Sequence, residues 1–212
     1  GVRPRHTQIC LIPMASPGLF PPTKLAPTRA NLRSVEASDD APAPGTAPSP
    51  SYNNSILADM HMVGHTQTVH SYMEACPSLL EAVLLMKVWV RLRGLQTPSD
   101  VDGFLLTMLL CGLMHSRVLN THMSPYQIVR QAMLFLSNNA DVAAGRVALF
   151  APAKTDPFGP VSEVASHYGA YLQDHTGVVN LAAHLRHSAL TALSTAARAS
   201  VHALDSSYLD AF

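Results

Sequence analysis

A chain of 212 residues that is 48% hydrophobic has ample apolar surface for a core. Its formal net charge is zero and only 13% of its residues are charged, against about 25% in ordinary soluble domains, which excludes nucleic-acid binding by bulk basic electrostatics. Three cysteines without C-x-x-C spacing exclude a disulfide framework or a cysteine zinc site and point weakly to a reducing compartment, and no apolar run approaches the roughly twenty residues of a membrane span.

In chain order, residues 1–35 open on the β-prone run Thr7 to Ile12, stopped by Pro13, and continue through a proline-rich irregular segment. Arg3, Arg5, Lys24, Arg29 and Arg33 make this stretch locally basic, for phosphate contact or as a charged strand edge. From Val35 to Pro50 the composition turns to Ala, Pro, Ser, Asp and Gly, and Glu36 to Ser49 is expected to be a disordered linker. The low overall charge fits a surface covered within a larger assembly, and a start at Gly1 without methionine fits a fragment.

Tyr52 to Ala75 reads as a helix, with Ile56, Met60, Val63, Val69, Tyr72 and Met73 on an approximate helical period, Gly64 weakening its middle and Asn53 or Asn54 as its cap. Pro77 and Gly94 bracket a second helix over Leu79 to Arg93. A third runs from Phe104 to Met114, with Asp100 or Asp102 as N-cap. Both look apolar on most sides and are expected to form a buried pair holding Trp89 and Leu106. Ser124 and Pro125 start a fourth helix, reaching Asn138. The stretch from Asn138 to Ser162 is broken by Gly and Pro and reads as a surface excursion. Short strands are expected at 168–172 and 178–181 about the turn Asp174 to Gly177, followed by an amphipathic helix over Ser188 to Leu204.

The order Lys87-x-Trp89-x-x-x-Arg93-Gly94, a polar loop, then Gly103-Phe104-Leu105-Leu106-x-Met108-Leu109 resembles the helical domain that follows the catalytic domain in poly(A) polymerases and 2′-5′-oligoadenylate synthetases. It is closer still to the Nrap family of nucleolar RNA-associated proteins, whose members look like inactive tRNA nucleotidyltransferases built into the small-subunit processome. Tyr52 to Leu57, Met123 to Ile128 and Gly177-x-x-Asn180-Leu181 extend the likeness over most of the chain. The resemblance implies a mainly α fold: a helical domain over 51–162, the end of a nucleotidyltransferase-like domain plus linker over 1–50, and the start of a further α+β domain over 163–212. It also implies a nucleolar, non-catalytic scaffold that contacts pre-ribosomal RNA and other processome proteins during pre-18S rRNA processing, with no membrane, cofactor or small-molecule substrate. The alternative is an active template-independent nucleotidyltransferase whose catalytic strands lie outside this sequence.

The chemistry bears on that choice. Nucleotidyltransferases of the polymerase β type need a Gly-Ser turn and paired carboxylates on a strand to hold two metal ions. This sequence has no Gly-Ser, and its one D-x-D, Asp100-Val101-Asp102, precedes a helix, where capping explains it. Lys87 matches the position of the lysine that in poly(A) polymerases reaches the triphosphate. Lys87, Arg91 and Arg93 are the expected RNA or phosphate contacts, set against solvated cations that complement a helix C-terminus. Among eleven histidines, His61 and His65 have the spacing of a zinc pair but lack the Glu of H-E-x-x-H and a third ligand. They, with His184 and His187, are expected to be surface histidines, and no metal site is assigned. Cys111 is expected to be an inert core residue.

Overall fold

A computed structural model describes residues 14–16, 18–32, 47–95, 101–150 and 158–209. The expected strand over 7–12, most of the linker at 36–49 and Asp100 lie outside the described residues. A short 3-10 turn, Pro22–Leu25, precedes the helices α1 (Pro50–Ala75), α2 (Pro77–Leu92), α3 (Gly103–His115) and α4 (Pro125–Asn138). After them come a helical turn α5 (Ala140–Ala143), strand β1 (Arg146–Val147), helix α6 (Val161–Ala165), strand β2 (Tyr171–Leu172) and the long helix α7 (His187–Leu209). The fold is mainly helical, as the sequence implies.

The helix ends follow from local chemistry. Asp102 caps α3 by accepting from the Leu105 amide at 2.7 Å. Ser124 and Gln127 form a reciprocal capping box on α4. Gly94 sits after α2 at φ +67°, and the Leu95 amide returns to the Val90 carbonyl, the left-handed closure that glycine permits. The start of α1 differs from expectation. It begins at Pro50, so Asn53 and Asn54 lie inside the helix, fully buried and bonded across the fold.

Helix α3 has almost no solvent face, with every residue from Leu105 to Leu113 buried. Helices α1 and α2 flank it, α2 also packs on α4, and α7 lies along α4. The expected symmetric pair of buried helices is therefore half right. Helix α2 buries Leu79, Ala82, Val83, Met86 and Val90 and turns Leu80, Leu84, Val88 and Leu92 outward, the last 80% exposed. Its 3.6-residue period gives it one inward stripe, and no described element covers the other side. Trp89 is half-buried at the edge of the core and donates its indole N–H to Ser200 Oγ at 2.9 Å.

The described stretch 139–150 after α4 is not a surface excursion. Val142, Val147, Leu149 and Phe150 are all buried. The chain comes so close to α3 at Gly112 that an added Cβ would lie 2.8 Å from Leu149 Cβ, so only glycine admits this packing. Strand β1 pairs in parallel with β2, Arg146 opposite Tyr171 and Val147 opposite Leu172. The expected turn forms through Gly177, with φ +80°, and bridges Gln173 with Asn180, but of the expected strands only Tyr171–Leu172 is one, and 178–181 contributes that single bridge. Leu172, Val179, Leu181 and Ala182 join the same core as the helices before them, as do Leu190, Leu193 and Ala197 of α7. Polar links also fix α7, through Arg198 to the Ser137 carbonyl and Arg130 to Asp205, each at 2.9 Å.

Leu106 is 1% exposed on α3. Leu106→Ala is expected to cost about 2–5 kcal/mol, whereas Leu92→Ala on the outer face of α2 should change stability by no more than about 0.5 kcal/mol. Urea unfolding of the two variants beside the parent checks the contrast.

Candidate functional site

Two adjacent asparagines on α1 organise the surroundings of the site. Asn53 donates to the Ala26 and Arg29 carbonyls at 2.8 and 2.9 Å and accepts from Asn31 and Ser49, fastening the segment before α1 onto the helix. Asn54 faces the other way and bridges both backbone groups of Asn180, accepting its N–H at 2.7 Å and donating to its carbonyl at 2.9 Å. Asn180 in turn donates its side-chain amide to Ala170 and accepts from the Leu172 and Ala182 amides. A buried polar chain thus fixes α1 against the 171–182 hairpin.

Beside it a cleft of about 730 Å³ opens between α1, the start of α3 and residues 179–184. Its polar lining includes Asn54, Asp59, His65, Asp102 and His184, with Phe104 and Leu181 among the apolar walls. Asp102 Oδ2 stands 3.7 Å from His184 Nε2. The walls carry carboxylates, amides and imidazoles.

The three cations singled out from the sequence part company. Lys87 is half-buried and lies over Gly103, where an added Cβ would be 2.8 Å from Lys87 Cε and 3.3 Å from its amine. Its amine therefore stands at the N-terminal end of α3, next to the cleft residues Asp102 and Phe104. Arg91 is exposed one turn further along α2. Arg93 turns to α7 and donates from Nη2 to Ser200 Oγ at 3.0 Å, the same hydroxyl that accepts from Trp89.

A second cluster was not foreseen. The expectation of surface histidines holds for His184 and His187, which are exposed, but fails for His65, which is 3% exposed. His65 Nε2 lies 2.9 Å from Asp174 Oδ2, joining α1 to the hairpin turn. Asp174 also accepts from Thr176 Oγ1 and from the Val179 amide. Burial pushes its carboxyl upward, but the bonds from His65, Thr176 and Val179 together outweigh that and hold it below the ordinary carboxylate range. His175 packs over Gly64 of α1, and burial lowers its pKa against the pull of Asp174; burial likewise lowers His61. His65, Asp174 and His175 each offer a donor atom within 4.8 Å of the others, so they could hold a metal ion. Only the His61/His65 spacing was visible in the sequence. Asp174 and His175 come from a turn 109 residues beyond His65, a distance that no local pattern spans. Cys111 is buried and its thiol is pushed up to about 12 by burial, which makes it inert, as expected.

An all-round-buried helix, its partner carrying Lys87 and Trp89, and a mainly helical surround are consistent with a helical domain of the poly(A) polymerase/oligoadenylate synthetase type. Residues 78–212 match the family model described as the Nrap protein PAP/OAS-like domain, and residues 2–75 match Nrap protein domain 1. The chain belongs to the Nrap family. It is 31% identical over 216 residues to Nucleolar protein 6 of Homo sapiens, an alignment covering 98% of this chain and 18% of that protein. Nucleolar protein 6 of Mus musculus is 29% identical over 210 residues, with 98% and 18% covered, and that of Xenopus tropicalis 29% over 199 residues, with 92% and 17%. The chain thus spans less than a fifth of the length of these relatives. The two model matches meet at the break between α1 and α2, so the cleft draws one wall from each.

Asn54→Ala would leave the Asn180 N–H and carbonyl without their partner in a buried setting. The expected loss is about 1–3 kcal/mol for each group left unsatisfied, read as a lower unfolding midpoint. Asn54→Asp, which sets a buried carboxylate oxygen against the Asn180 carbonyl, should destabilise at neutral pH at least as much as alanine.

Proposed function

We propose that this chain is a non-catalytic segment of a ribosome-biogenesis scaffold, which contacts pre-ribosomal RNA and neighbouring proteins of the small-subunit processome during pre-18S rRNA processing. The compartment is the nucleolus, within the nucleus, for which the relatives are named. The observation that carries the reading is membership of the Nrap family together with a helical domain that retains cations on the outward side of α2. Lys87 and Arg91 are one turn apart, so both can meet the same stretch of RNA backbone. The Lys87 amine stands at the N-terminal end of α3, where helix amides favour an anion. Arg93, engaged with Ser200, is the weakest contact of the three. Leu80, Leu84 and Val88 share the outward side with Lys87 and Arg91, which suits a surface that meets protein as well as RNA.

Asp102 spends one carboxylate oxygen on the cap of α3 and stands beside His184, a structural use of the D-x-D sequence. Loss of catalysis removes the need to hold metal and triphosphate but leaves a rigid helical platform for RNA.

The test uses the full-length protein with a labelled RNA primer, each nucleoside triphosphate and magnesium or manganese; no extension is expected. RNA binding should weaken with salt, and Lys87→Ala with Arg91→Ala should reduce the salt slope by up to about two phosphate contacts' worth. Primer extension that a carboxylate substitution elsewhere in the protein abolishes would overturn the scaffold reading. An unchanged slope would remove Lys87 and Arg91 from the RNA contact.

A further inference from the structure

We propose that His65, Asp174 and His175 form a binding site for a divalent transition-metal ion, with zinc the best match, that clamps α1 to the 174–180 turn. The donor set is two imidazoles and a carboxylate, the ligands zinc takes outside thiolate sites. Metal–ligand bonds of roughly 2.0–2.2 Å place tetrahedral donors about 3.3 Å apart. His65 Nε2 and Asp174 Oδ2 are 2.9 Å apart and His175 Nδ1 and Asp174 Oδ2 4.0 Å, so the observed separations bracket that value. All three donors lie within 4.8 Å of one another, a cluster that one ion can draw together.

A separate observation points the same way. His175 Nδ1 is buried and has no hydrogen-bond partner, a costly arrangement for a nitrogen that could instead coordinate. The surroundings also resemble the outer shell of a metal site. Asp174 Oδ1 accepts from the Val179 amide, and Thr176 Oγ1 reaches both carboxylate oxygens, Oδ2 the closer at 2.7 Å, which orients the carboxylate. Phe104 stands 5.7 Å from the His65 ring and Phe150 6.3 Å from that of His175, giving the site apolar walls. His61 lies one helical turn before His65, ring centroids 6.5 Å apart, outside the donor group, so the fourth position is left to water. On binding, the hydrogen between His65 and Asp174 gives way to the ion, and the neutral imidazole of His65 carries its hydrogen on Nδ1.

The consequence is architectural. Residue 65 belongs to the part matched by Nrap domain 1 and residues 174 and 175 to the PAP/OAS-like part, so the ion would fasten the two together near the cleft. Its contribution would appear as stability that depends on metal, independent of whether the protein contacts RNA.

The experiment titrates chelator-stripped full-length protein with cobalt(II) and then zinc. The parent should show the visible absorption of tetrahedral cobalt, bleached by one equivalent of zinc, and zinc should raise its unfolding temperature. His175→Gln, at the half-exposed rim of the cluster, should lose that equivalent, the absorption and the zinc-dependent rise. His65→Gln provides the second ligand test if the first variant does not fold. No tetrahedral absorption in the parent overturns the proposal, and so does an absorption and stoichiometry that both glutamine variants retain.

Discussion

Burial of α3 is the constraint on which the rest depends. A helix apolar from Leu105 to Leu113 has no face to give to water, so its neighbours must enclose it. Helices α1 and α2 take two sides. The segment around Leu149 and Phe150 closes another, and it can approach only because Gly112 presents bare backbone there. What looks in sequence like a loop rich in breakers is thus drawn inward by the demand of α3 for cover, and β1 forms where that segment meets the hairpin.

Apolar packing alone would not set the angles at which these pieces meet. Buried polar joints do that, because each has a single geometry and is costly to leave incomplete. Asn54 reads both backbone groups of Asn180, so the hairpin cannot slide along α1 without orphaning four polar atoms. Ser200 accepts from Trp89 and Arg93 together and fixes α7 against the end of α2. His65 and Asp174 repeat the device at the turn. These joints lie between elements far apart in sequence, and they hold the cleft open at the meeting of the two parts of the family fold.

The electrostatics follow from the same placement. Carboxylates and histidines from α1, α3 and residues 183–184 meet in the cleft, while Arg91 stays exposed on α2 and Lys87 reaches from α2 to the N-terminal end of α3, beside Asp102 and Phe104.

Sequence alone determined the features that depend on near neighbours along the chain. The ends of α2, α3 and α4 were legible because Gly94, Asp102 and Ser124 act on backbone groups within a turn of themselves. The helical class, the turn at Asp174 to Gly177 and the family resemblance were legible for the same reason. Tertiary structure decided what depends on distant partners. Asn53 and Asn54 looked like caps because asparagine is a good cap, yet they became internal joints when Pro50 started the helix three residues earlier. Helix α2 looked buried all round because its composition is apolar, but a single helix meets only the neighbours that reach it, and Leu80, Leu84, Val88 and Leu92 met none of the described elements. His65 looked like a surface residue until a turn 109 positions away brought Asp174 and His175 to its ring, since the energy of that contact is carried by atoms that local patterns of sequence do not bring together.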